Sequence, residues 1–274
     1  MPKLNSTGVY VATRGYPMLS VFARRTNPEL FKYWDGKTQT APKGEGTEAS
    51  PYLISNGAEL AYIIANGGGA DKYYKLTADI YLNELGKINW ATGEANDGYT
   101  PNVWNFENAA FEGNINGNGY VVYGLYFKTT NDASAFGYYG IGLIPRVNLG
   151  ASVTINSLGV DYAYLSGVNG ASAFVGSAGA TSGGDDISSK ANVTIDKCYA
   201  GANVTIMGHD IGAFRGTTYG SVTTITNSYS LATLEDVVSR GFVGNLWGAT
   251  VVVENSFNAN GPIANESWLW TDVG

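Results

Sequence analysis

The side chains that could perform acid–base or nucleophilic chemistry are few and lie far apart in the sequence. His209 is the single histidine among 274 residues, and Asp210 follows it directly. A serine hydrolase would need a distant serine placed beside this pair, and the sequence holds no nucleophile-elbow motif that could supply it. We therefore interpret His209 as a loop residue at a turn of the fold.

Paired carboxylates are the usual machinery of glycoside hydrolysis, and they must converge on one groove. The acidic residues in the second half of the chain do not recur at one position of the sequence repeats. These residues are Asp161, Asp185, Asp186, Asp196, Asp210, Glu235, Asp236 and Glu254. The pattern disfavours catalysis, and a polysaccharide-degrading enzyme of the phage-tailspike type is kept as an alternative.

Metal ligands are equally sparse. One cysteine, Cys198, and one histidine cannot form a typical zinc site. The pairs Asp185–Asp186 and Glu235–Asp236 could offer oxygen ligands to calcium, but no D-x-D-x-D-G loop or Gly-Gly-x-Gly-x-Asp repeat is present. We therefore expect no cofactor, with calcium as a weak alternative, and the single cysteine excludes an intrachain disulfide.

Aromatic side chains are the strongest sign of a binding role, because the chain has six Trp and 19 Tyr. Exposed aromatic faces can stack on sugar rings. The candidate ligand-binding residues are Trp90, Trp104, Trp247, Trp268 and Trp270. The first three fall in or near apparent loops, and the last two could instead cover the end of the fold. Tyr and Phe at repeated positions, namely Tyr199, Tyr229 and Phe257, are interpreted as interior or corner packing.

The elements that position these residues are predicted from a repeat in the sequence. Four segments begin with a small apolar anchor and end with a β-rich closure. The anchors are IGLIP (141–145), SAFVG (172–176), GAFRG (212–216) and RGFVG (240–244), and the closures are VTINSLGV (153–160), VTIDKCYA (193–200), TTITNSYS (223–230) and VVVENSFN (251–258). Connecting segments vary in length while these phrases persist, which is typical of a solenoid.

Within each closure, β-branched residues alternate with Thr or Asn, which predicts strands with one buried face. Stacked in parallel about 4.8 Å apart, such strands would align equivalent side chains into columns. The sequence therefore predicts an all-β fold, a single-stranded parallel β-helix (β-solenoid), with Phe174, Phe214 and Phe242 one above another. Asn156, Asn227 and Asn255 are predicted at turns that use left-handed dihedrals, with Lys197 interrupting their series.

The predicted domain organisation rests on a helix-capping pattern and on the local amino-acid composition. Asn56 with Glu59 three residues later is a capping-box arrangement, and glycines from Gly67 onward end the pattern, which predicts a capping helix at about 57–66. Residues 34–50 are Pro/Gly/Thr-rich and predict a linker. Residues 1–33 predict a separate N-terminal strand segment, and residues 51–274 the solenoid with its helical cap.

Charge and hydropathy exclude some classes of function. The net charge is −7, so a nucleic-acid partner is disfavoured. No run of about 18 apolar residues occurs, so we expect no membrane insertion. The N-terminus MPKLNSTGVYVAT lacks the basic start and apolar core of a signal peptide, so either the chain is not exported by that route or it is a fragment of a longer protein.

Two stretches carry a resemblance to a known group of repeats. They are WDGKTQTAPKGEGTEASPYLISNGAELAYIIANGGGADKYYKLTADIYLN (34–83) and FEGNINGNGYVVYGLYF (111–127). They resemble repeat modules in large secreted or surface proteins of gut bacteria, related to GLUG-type repeats, and the likeness extends over roughly residues 34–260. The resemblance implies a β-solenoid at the cell surface or outside the cell, often adhesin-like. Phage structural proteins, and hence a phage particle, are the alternative.

The segment 1–23 is similar to the part that usually closes such a module, although here it precedes the WDG opening. This order suggests self-association head to tail, in which the N-terminal strands of one copy complete the C-terminal edge of the next. We predict a non-catalytic extracellular module for adhesion, contact with a polysaccharide or host-surface glycan, or structural spacing. The alternatives are the polysaccharide-degrading enzyme and a filament or virion building block.

Overall fold

The computed structural model describes residues 10–11, 18–19, 32–106, 109–128, 140–180, 185–235 and 241–259. The chain divides into two compact units, Met1–Lys32 and Tyr33–Gly274. In the first unit, strands β1 (Tyr10–Val11) and β2 (Met18–Leu19) pair antiparallel. Residues 34–50, expected as a linker, belong to the second unit, where Trp34 and Gly46 are buried.

The second unit is mostly β. In chain order its elements are β3 (Tyr52–Ile54), α1 (Gly57–Ala65), β4 (Gly68–Leu76), β5 (Ile80–Tyr81), a 3₁₀ turn (Leu85–Lys87), β6 (Ile88–Asn89), β7 (Glu94–Ala95), β8 (Glu112–Asn116), β9 (Val121–Lys128), β10 (Ile144–Asn148), β11 (Ser152–Asn156), β12 (Gly159–Asn169), β13 (Val175–Gly179), β14 (Ala191–Asp196), β15 (Tyr199–Ala200), β16 (Val204–His209), β17 (Arg215–Tyr219), β18 (Ser221–Thr226), β19 (Tyr229–Ser230), β20 (Thr233–Glu235), β21 (Thr250–Glu254) and β22 (Phe257–Asn258).

Three parallel sheets contain most of these strands, and the chain visits them in rotation. Sheet 1 has the order β21-β18-β14-β11-β8-β4-β3. Sheet 2 contains β20-β16-β12-β15-β19-β22 with β9 and β5, and sheet 3 has the order β10-β13-β17. From β8 to β18, each circuit adds a strand to sheet 1, then sheet 2, then sheet 3. Equivalent strands pair in parallel. Apart from irregularities in the pairing of β4 with β8 and of β12 with β16 they keep one register, so each circuit lies on the previous one in the same orientation.

This register aligns inward-facing residues into columns. In sheet 1, Ile115, Ile155, Ile195 and Ile225 are successive partners, and all four are buried. Two other columns change character along the chain. One runs from Val153 and Val193 through Thr223 to Val251, so a single hydroxyl residue interrupts it. The other runs from Val160 and Ala200 to Ser230 and Asn258. Since transfer from water favours hydrocarbon over hydroxyl and amide groups, the later circuits gain less from burial.

The predicted phenylalanine column is confirmed. Phe174, Phe214 and Phe242 are each 0% exposed. The ring centroids of Phe174 and Phe214 are 5.0 Å apart with nearly parallel planes, and those of Phe214 and Phe242 are 4.9 Å apart at 72°. The repeated anchors therefore supply one continuous aromatic core beside sheet 3.

The turn between sheets 1 and 2 uses left-handed backbone, as predicted, but at a different residue in one circuit. Ser157, Lys197, Asn227 and Asn255 have φ of 53°, 53°, 50° and 49°. Asn156 instead pairs in register with Asp196, one position earlier. The prediction for Asn156 was therefore wrong by one residue, because the phrase INS was aligned on its asparagine and not on its last strand residue. Lys197 has the left-handed conformation at the equivalent position, so it does not interrupt the series of turn residues.

The capping helix is confirmed as α1, Gly57–Ala65. The Asn56 side chain accepts a hydrogen bond from the Glu59 N–H at 3.0 Å, and the Glu59 carboxylate accepts from the Ser55 N–H at 2.7 Å. The first bond satisfies an N–H group that the first helical turn leaves open, and the second ties the residue before the N-cap to the helix. Leu60 and Ile64 of α1 join the same core as Ile54 of β3, which begins sheet 1.

Across the described ranges, none of the helices has the length and apolar character needed to cross a membrane.

Candidate functional site

Two of the tryptophans predicted to bind ligand have their rings in the core. Trp104 is 1% exposed, donates its indole N–H to the Leu143 carbonyl at 3.2 Å and packs edge-on against Trp34. Trp90 is 7% exposed and donates to the Leu85 carbonyl at 2.9 Å. Since both ring faces are packed and both N–H groups are satisfied internally, neither side chain presents a platform to an external ligand.

Trp247 is the described candidate whose ring reaches solvent, with 66% of the residue exposed. It continues sheet 3 by a parallel bridge to Tyr219, and its carbonyl accepts from the Gly220 N–H at 3.1 Å. Trp268 and Trp270, the other two predicted candidates, lie outside the described residues. Trp247 is therefore an aromatic side chain fixed by its backbone on a corner between sheets 3 and 1.

The backbone around Trp247 is held by a neighbouring loop. Lys190 donates its ammonium to the Gly248 carbonyl at 2.9 Å. Gly248 has φ of +56°, and a Cβ there would lie 3.0 Å from Ile187. Glycine permits both the left-handed backbone and the close approach. Trp247 thus stands beside Lys190, and Asp185 and Asp186 precede Ile187 as exposed carboxylates of the same loop.

A second candidate is a cleft of about 240 Å³ next to the capping helix, here named the tyrosine cleft. It is lined by Ala41, Pro42, Tyr52, Tyr62, Ile63, Asn66, Gly68, Lys72 and Tyr74. Tyr52 comes from β3, Tyr62 and Ile63 from α1, and Tyr74 from β4. The cleft therefore combines aromatic walls with one ammonium group and one side-chain amide.

Two of the tyrosine walls are fixed by strand register. Tyr52 and Tyr74 are partners in the pairing of β3 with β4, and their rings stack at 5.6 Å with planes 27° apart. Tyr74 is 4% exposed, and its burial raises the pKa of its phenol to about 12. The hydroxyl of Tyr74 therefore stays protonated at physiological pH and can act as a donor.

Lys72 reaches the cleft because of an irregularity in β4. Gly68 pairs with Glu112 and Tyr73 with Asn114, so residues 69–72 face a single partner residue and form a bulge. Such bulges redirect side chains at functional sites. Lys72 is exposed. Asn66, the C-cap of α1, donates its side-chain N–H to the Tyr62 carbonyl at 2.8 Å, which leaves its side-chain oxygen as an acceptor.

Sequence reasoning missed the tyrosine cleft. Its residues come from segments that were interpreted as cap, strand and linker. A signal was present in the spacing of PYL (51–53), AYI (61–63) and YYK (73–75), which places tyrosines on both sides of the cap. The inserted GGADK (68–72) before β-prone residues was a second signal of a bulge.

A larger cleft of about 450 Å³ lies between successive turns of the chain. Its lining is Gly67, Ala110, Phe111, Glu112, Asn148, Leu149, Gly150 and Ala151. Its single aromatic ring, that of Phe111, is 1% exposed. Although this cleft is larger, its lining holds no cation and no exposed aromatic ring, and its polar side chains are those of Glu112 and Asn148.

Tyr199, Tyr229 and Phe257 form a column outside the core. Of the two predicted placements, interior or corner packing, the interior one was wrong, and the three side chains lie just after the left-handed corner residues. They are partners in sheet 2, and the rings of Tyr199 and Tyr229 stack at 5.2 Å with planes 6° apart. Tyr229 is 42% exposed and Phe257 62%. Cys198 and Ala200 beside Tyr199 are buried, so Tyr199 must point outward in an alternating strand.

His209 and Asp210 lie in a network with structural roles. The Asp210 carboxylate lies 3.4 Å from Nδ1 of His209 and accepts from the Asn245 side-chain amide at 3.0 Å. Asn245 also accepts, through its main-chain carbonyl, a bond from the buried Arg215 at 2.9 Å. Burial lowers the pKa of Arg215 to about 9. The aspartate thus anchors the turn that carries His209.

The remaining reactive groups are distributed in separate places. Asp196 accepts hydrogen bonds from Asn156, Thr226 and Asn227, and the bond from Asn227 lowers the pKa of its carboxyl. Burial raises the pKa of the Cys198 thiol to about 12, so it stays protonated. Within the described residues, no three His, Cys, Asp or Glu side chains gather as a metal site, and Asp236 lies outside them.

The fold defines a mostly β protein built on parallel sheets, and sequence comparison adds distant relatives. No protein-family model matches the chain. The chain is 32% identical over 112 residues to halomucin of Haloquadratum walsbyi, and the match covers 41% of this chain and 1% of halomucin. It is 32% identical over 133 residues to a protein of Evansella cellulosilytica that is provisionally described as a Gly-rich membrane protein. That match covers 48% of this chain and 13% of the relative.

Among solved structures, the chain is similar to a Bacteroides ovatus protein that is provisionally described as an immunoglobulin A1 protease. The two share 18% identity, and the match covers 79% of this chain and 77% of that chain with a TM-score of 0.37. Both sequence relatives are matched over a small part of their own length.

Proposed function

We propose that the second unit is a parallel β-helix (β-solenoid) that serves as a non-catalytic module at the cell surface or outside the cell. Its role is adhesion, contact with a polysaccharide or host-surface glycan, or structural spacing. The observation that carries this proposal is the rotation of the chain through three parallel sheets with equivalent side chains in columns. A stack of this kind holds its corner loops at a fixed spacing, which suits the display of binding groups.

Trp247 supports contact with a glycan. Its ring is exposed, while its backbone is tied to Gly220 and its neighbour Gly248 to Lys190. A flat apolar side chain on a fixed backbone segment loses less conformational entropy when a sugar ring stacks on it than one on a flexible loop. The Lys190 ammonium and the exposed carboxylates of Asp185 and Asp186 provide polar groups in the same loop.

Placement at a surface is supported by the resemblance of residues 34–83 and 111–127 to modules of surface proteins. One relative is described as a membrane protein, which agrees with this placement.

The test is a glycan array with the full chain, together with a reducing-sugar assay on the polysaccharides that bind. We expect binding without release of reducing ends, and we expect Trp247→Ala to weaken it by roughly tenfold, since a stacked aromatic ring contributes about 1–1.5 kcal/mol beyond its area. Tyr229→Ala, which removes an exposed ring elsewhere, is the matched control and should bind normally.

Three results would count against the proposal. Release of reducing ends would replace it with a polysaccharide-degrading enzyme. Regular head-to-tail polymers by electron microscopy, without glycan binding, would favour a filament building block. If no glycan on the array binds and the protein is a monodisperse monomer, glycan contact is excluded and structural spacing is the role that remains.

A further inference from the structure

We infer that the tyrosine cleft binds one sugar residue that carries a carboxylate, such as a uronic or sialic acid, within a glycan chain. This inference rests on the proposed contact with glycans and assigns that contact a second site, separate from Trp247.

The size of the cleft favours a single ring. Its volume is about 240 Å³. Clefts for drug-sized ligands hold about 300–1,000 Å³. A long glycan would therefore contact this cleft through one residue, with the rest of the chain outside it.

The walls suit a ligand that has one apolar face and a polar edge. Tyr52 and Tyr62 are half-buried and line the cleft, and Pro42 adds an apolar surface. A pyranose ring presents C–H groups on one face and hydroxyls around its edge. Tyrosine matches both, because its ring is apolar and its hydroxyl donates and accepts hydrogen bonds.

The charge of the cleft selects an anion. Lys72 is the charged group among its lining residues, in a chain whose net charge is −7. Core packing does not account for its position, because the side chain is exposed and lies in a bulge of β4. An ammonium that faces aromatic walls favours a carboxylate over a neutral hydroxyl, since charge-assisted hydrogen bonds are roughly twice as strong.

Asn66 adds directional recognition. Its donation to the Tyr62 carbonyl fixes the orientation of the amide, so that its oxygen can accept from a sugar hydroxyl. An aromatic acid would use the walls and Lys72 but would leave Asn66 and the tyrosine hydroxyls without new partners. The arrangement therefore favours a polyhydroxylated acid.

The cleft is organised before any ligand binds. The Thr40 N–H donates to the Ala58 carbonyl at 3.1 Å, and the Leu53 N–H donates to the Lys43 carbonyl at 2.7 Å. These two bonds hold Ala41 and Pro42 between α1 and β3. A pre-formed wall lowers the entropic cost of binding.

The experiment is a saturation-transfer NMR titration of the full chain with glucuronic acid, N-acetylneuraminic acid, glucose and benzoate. We expect at least one sugar acid to bind roughly tenfold more tightly than glucose, because a hydrogen bond to a charged group contributes about 1.5–3 kcal/mol. Lys72→Gln should reduce the affinity for the acid to that for glucose, and Tyr62→Ala should weaken both sugars. Lys75→Gln is the matched control, since Lys75 lies on the same strand outside the cleft, and it should change nothing.

The other outcomes separate this inference from the proposed function. If glycans bind the chain and the binding depends on Trp247 but not on Lys72 or Tyr62, the cleft is overturned and the surface function stands. If benzoate binds more tightly than either sugar acid, the ligand class is wrong. Should none of the four probes bind and no glycan on the array bind either, this inference and the proposed glycan contact are both lost, and structural spacing is the role that remains.

Discussion

Two aromatic columns run through this protein, and they differ in the side of the sheet on which they lie. Phe174, Phe214 and Phe242 stack inside, next to sheet 3, and are 0% exposed. Tyr199, Tyr229 and Phe257 are aligned on the outer face of sheet 2, where Tyr229 is 42% and Phe257 62% exposed. The ring spacing is nearly the same, with centroids 5.0 Å apart for Phe174–Phe214 and 5.2 Å for Tyr199–Tyr229.

The comparison shows that register aligns side chains regardless of burial. Any residue that recurs at one position of a parallel stack becomes a column about 4.8 Å per step. Whether that column stabilises the fold depends on whether its side chains face the core or the solvent. Here the residue at the corner before the strand decides this. Lys197 adopts a left-handed conformation, after which Cys198 points in and Tyr199 points out.

The largest effect is expected for the inner column. Phe214→Ala should lower the free energy of unfolding by about 3–5 kcal/mol, because it leaves a cavity between two buried rings. The measurement is urea-induced unfolding followed by circular dichroism. Phe214→Leu is the control and should cost clearly less. A loss below about 1 kcal/mol for the alanine variant would contradict the burial of this column.

An intermediate effect is expected for the phenol proton of Tyr199 in the outer column, because the inner column has no titratable group. Burial, with smaller effects of Tyr123, Tyr229 and Asp161, raises the pKa of Tyr199 above its usual value of 10.0. The folded state then holds the phenol proton more tightly than the unfolded state. Its contribution is therefore complete below pH 10 and is lost as the pH rises beyond it, by up to about 1.4 kcal/mol per pH unit.

Tyr199→Phe tests this linkage. The variant should reduce the slope of unfolding free energy against pH above pH 10, while other tyrosines with raised pKa values, such as Tyr74, keep part of it. Unchanged slopes in the wild type and the variant would show that Tyr199 titrates alike in both states. Spectrophotometric titration of the phenolates provides an independent readout.

The smallest effect is expected for the exposed member of the outer column. Tyr229→Ala should change the free energy of unfolding by under about 1 kcal/mol, since the ring is 42% exposed and loses mainly its stacking on Tyr199. The same urea assay serves, with Tyr229→Phe as the control for the hydroxyl alone. A loss equal to that of Phe214→Ala would erase the distinction between the two columns.

The parallel register and the phenylalanine column could be predicted because repeated phrases carry an alternation of period two. The side chains that face the core after each corner could not be predicted, since one left-handed residue changes the alternation. For this reason Asn156 was aligned one position too late, and the prediction for Tyr199 did not decide between the interior and a corner. The capping helix was predictable from Asn56 and Glu59, which interact locally.

The candidate sites were harder to predict because exposure is a tertiary property. Trp104 and Trp247 are both tryptophans of apparent loops, yet one is 1% and the other 66% exposed. The tyrosine cleft depends on the bulge in β4 and on the segment beside Pro42, and both are positioned by long-range pairing. No local pattern states which three tyrosines will share a cleft.

The presence of hydroxyl and amide groups in the later part of the inner columns has a consequence for partial unfolding. Ser230 and Asn258 end one inner column and Thr223 interrupts another, so the later circuits gain less from burial, and local unfolding begins where stability is lowest. Mild heat or denaturant should therefore disorder the Trp247 corner while the tyrosine cleft, beside the hydrocarbon-rich circuits, still has its shape. A partly unfolded molecule would then lose the proposed glycan contact at Trp247 while the cleft could still bind an acidic sugar.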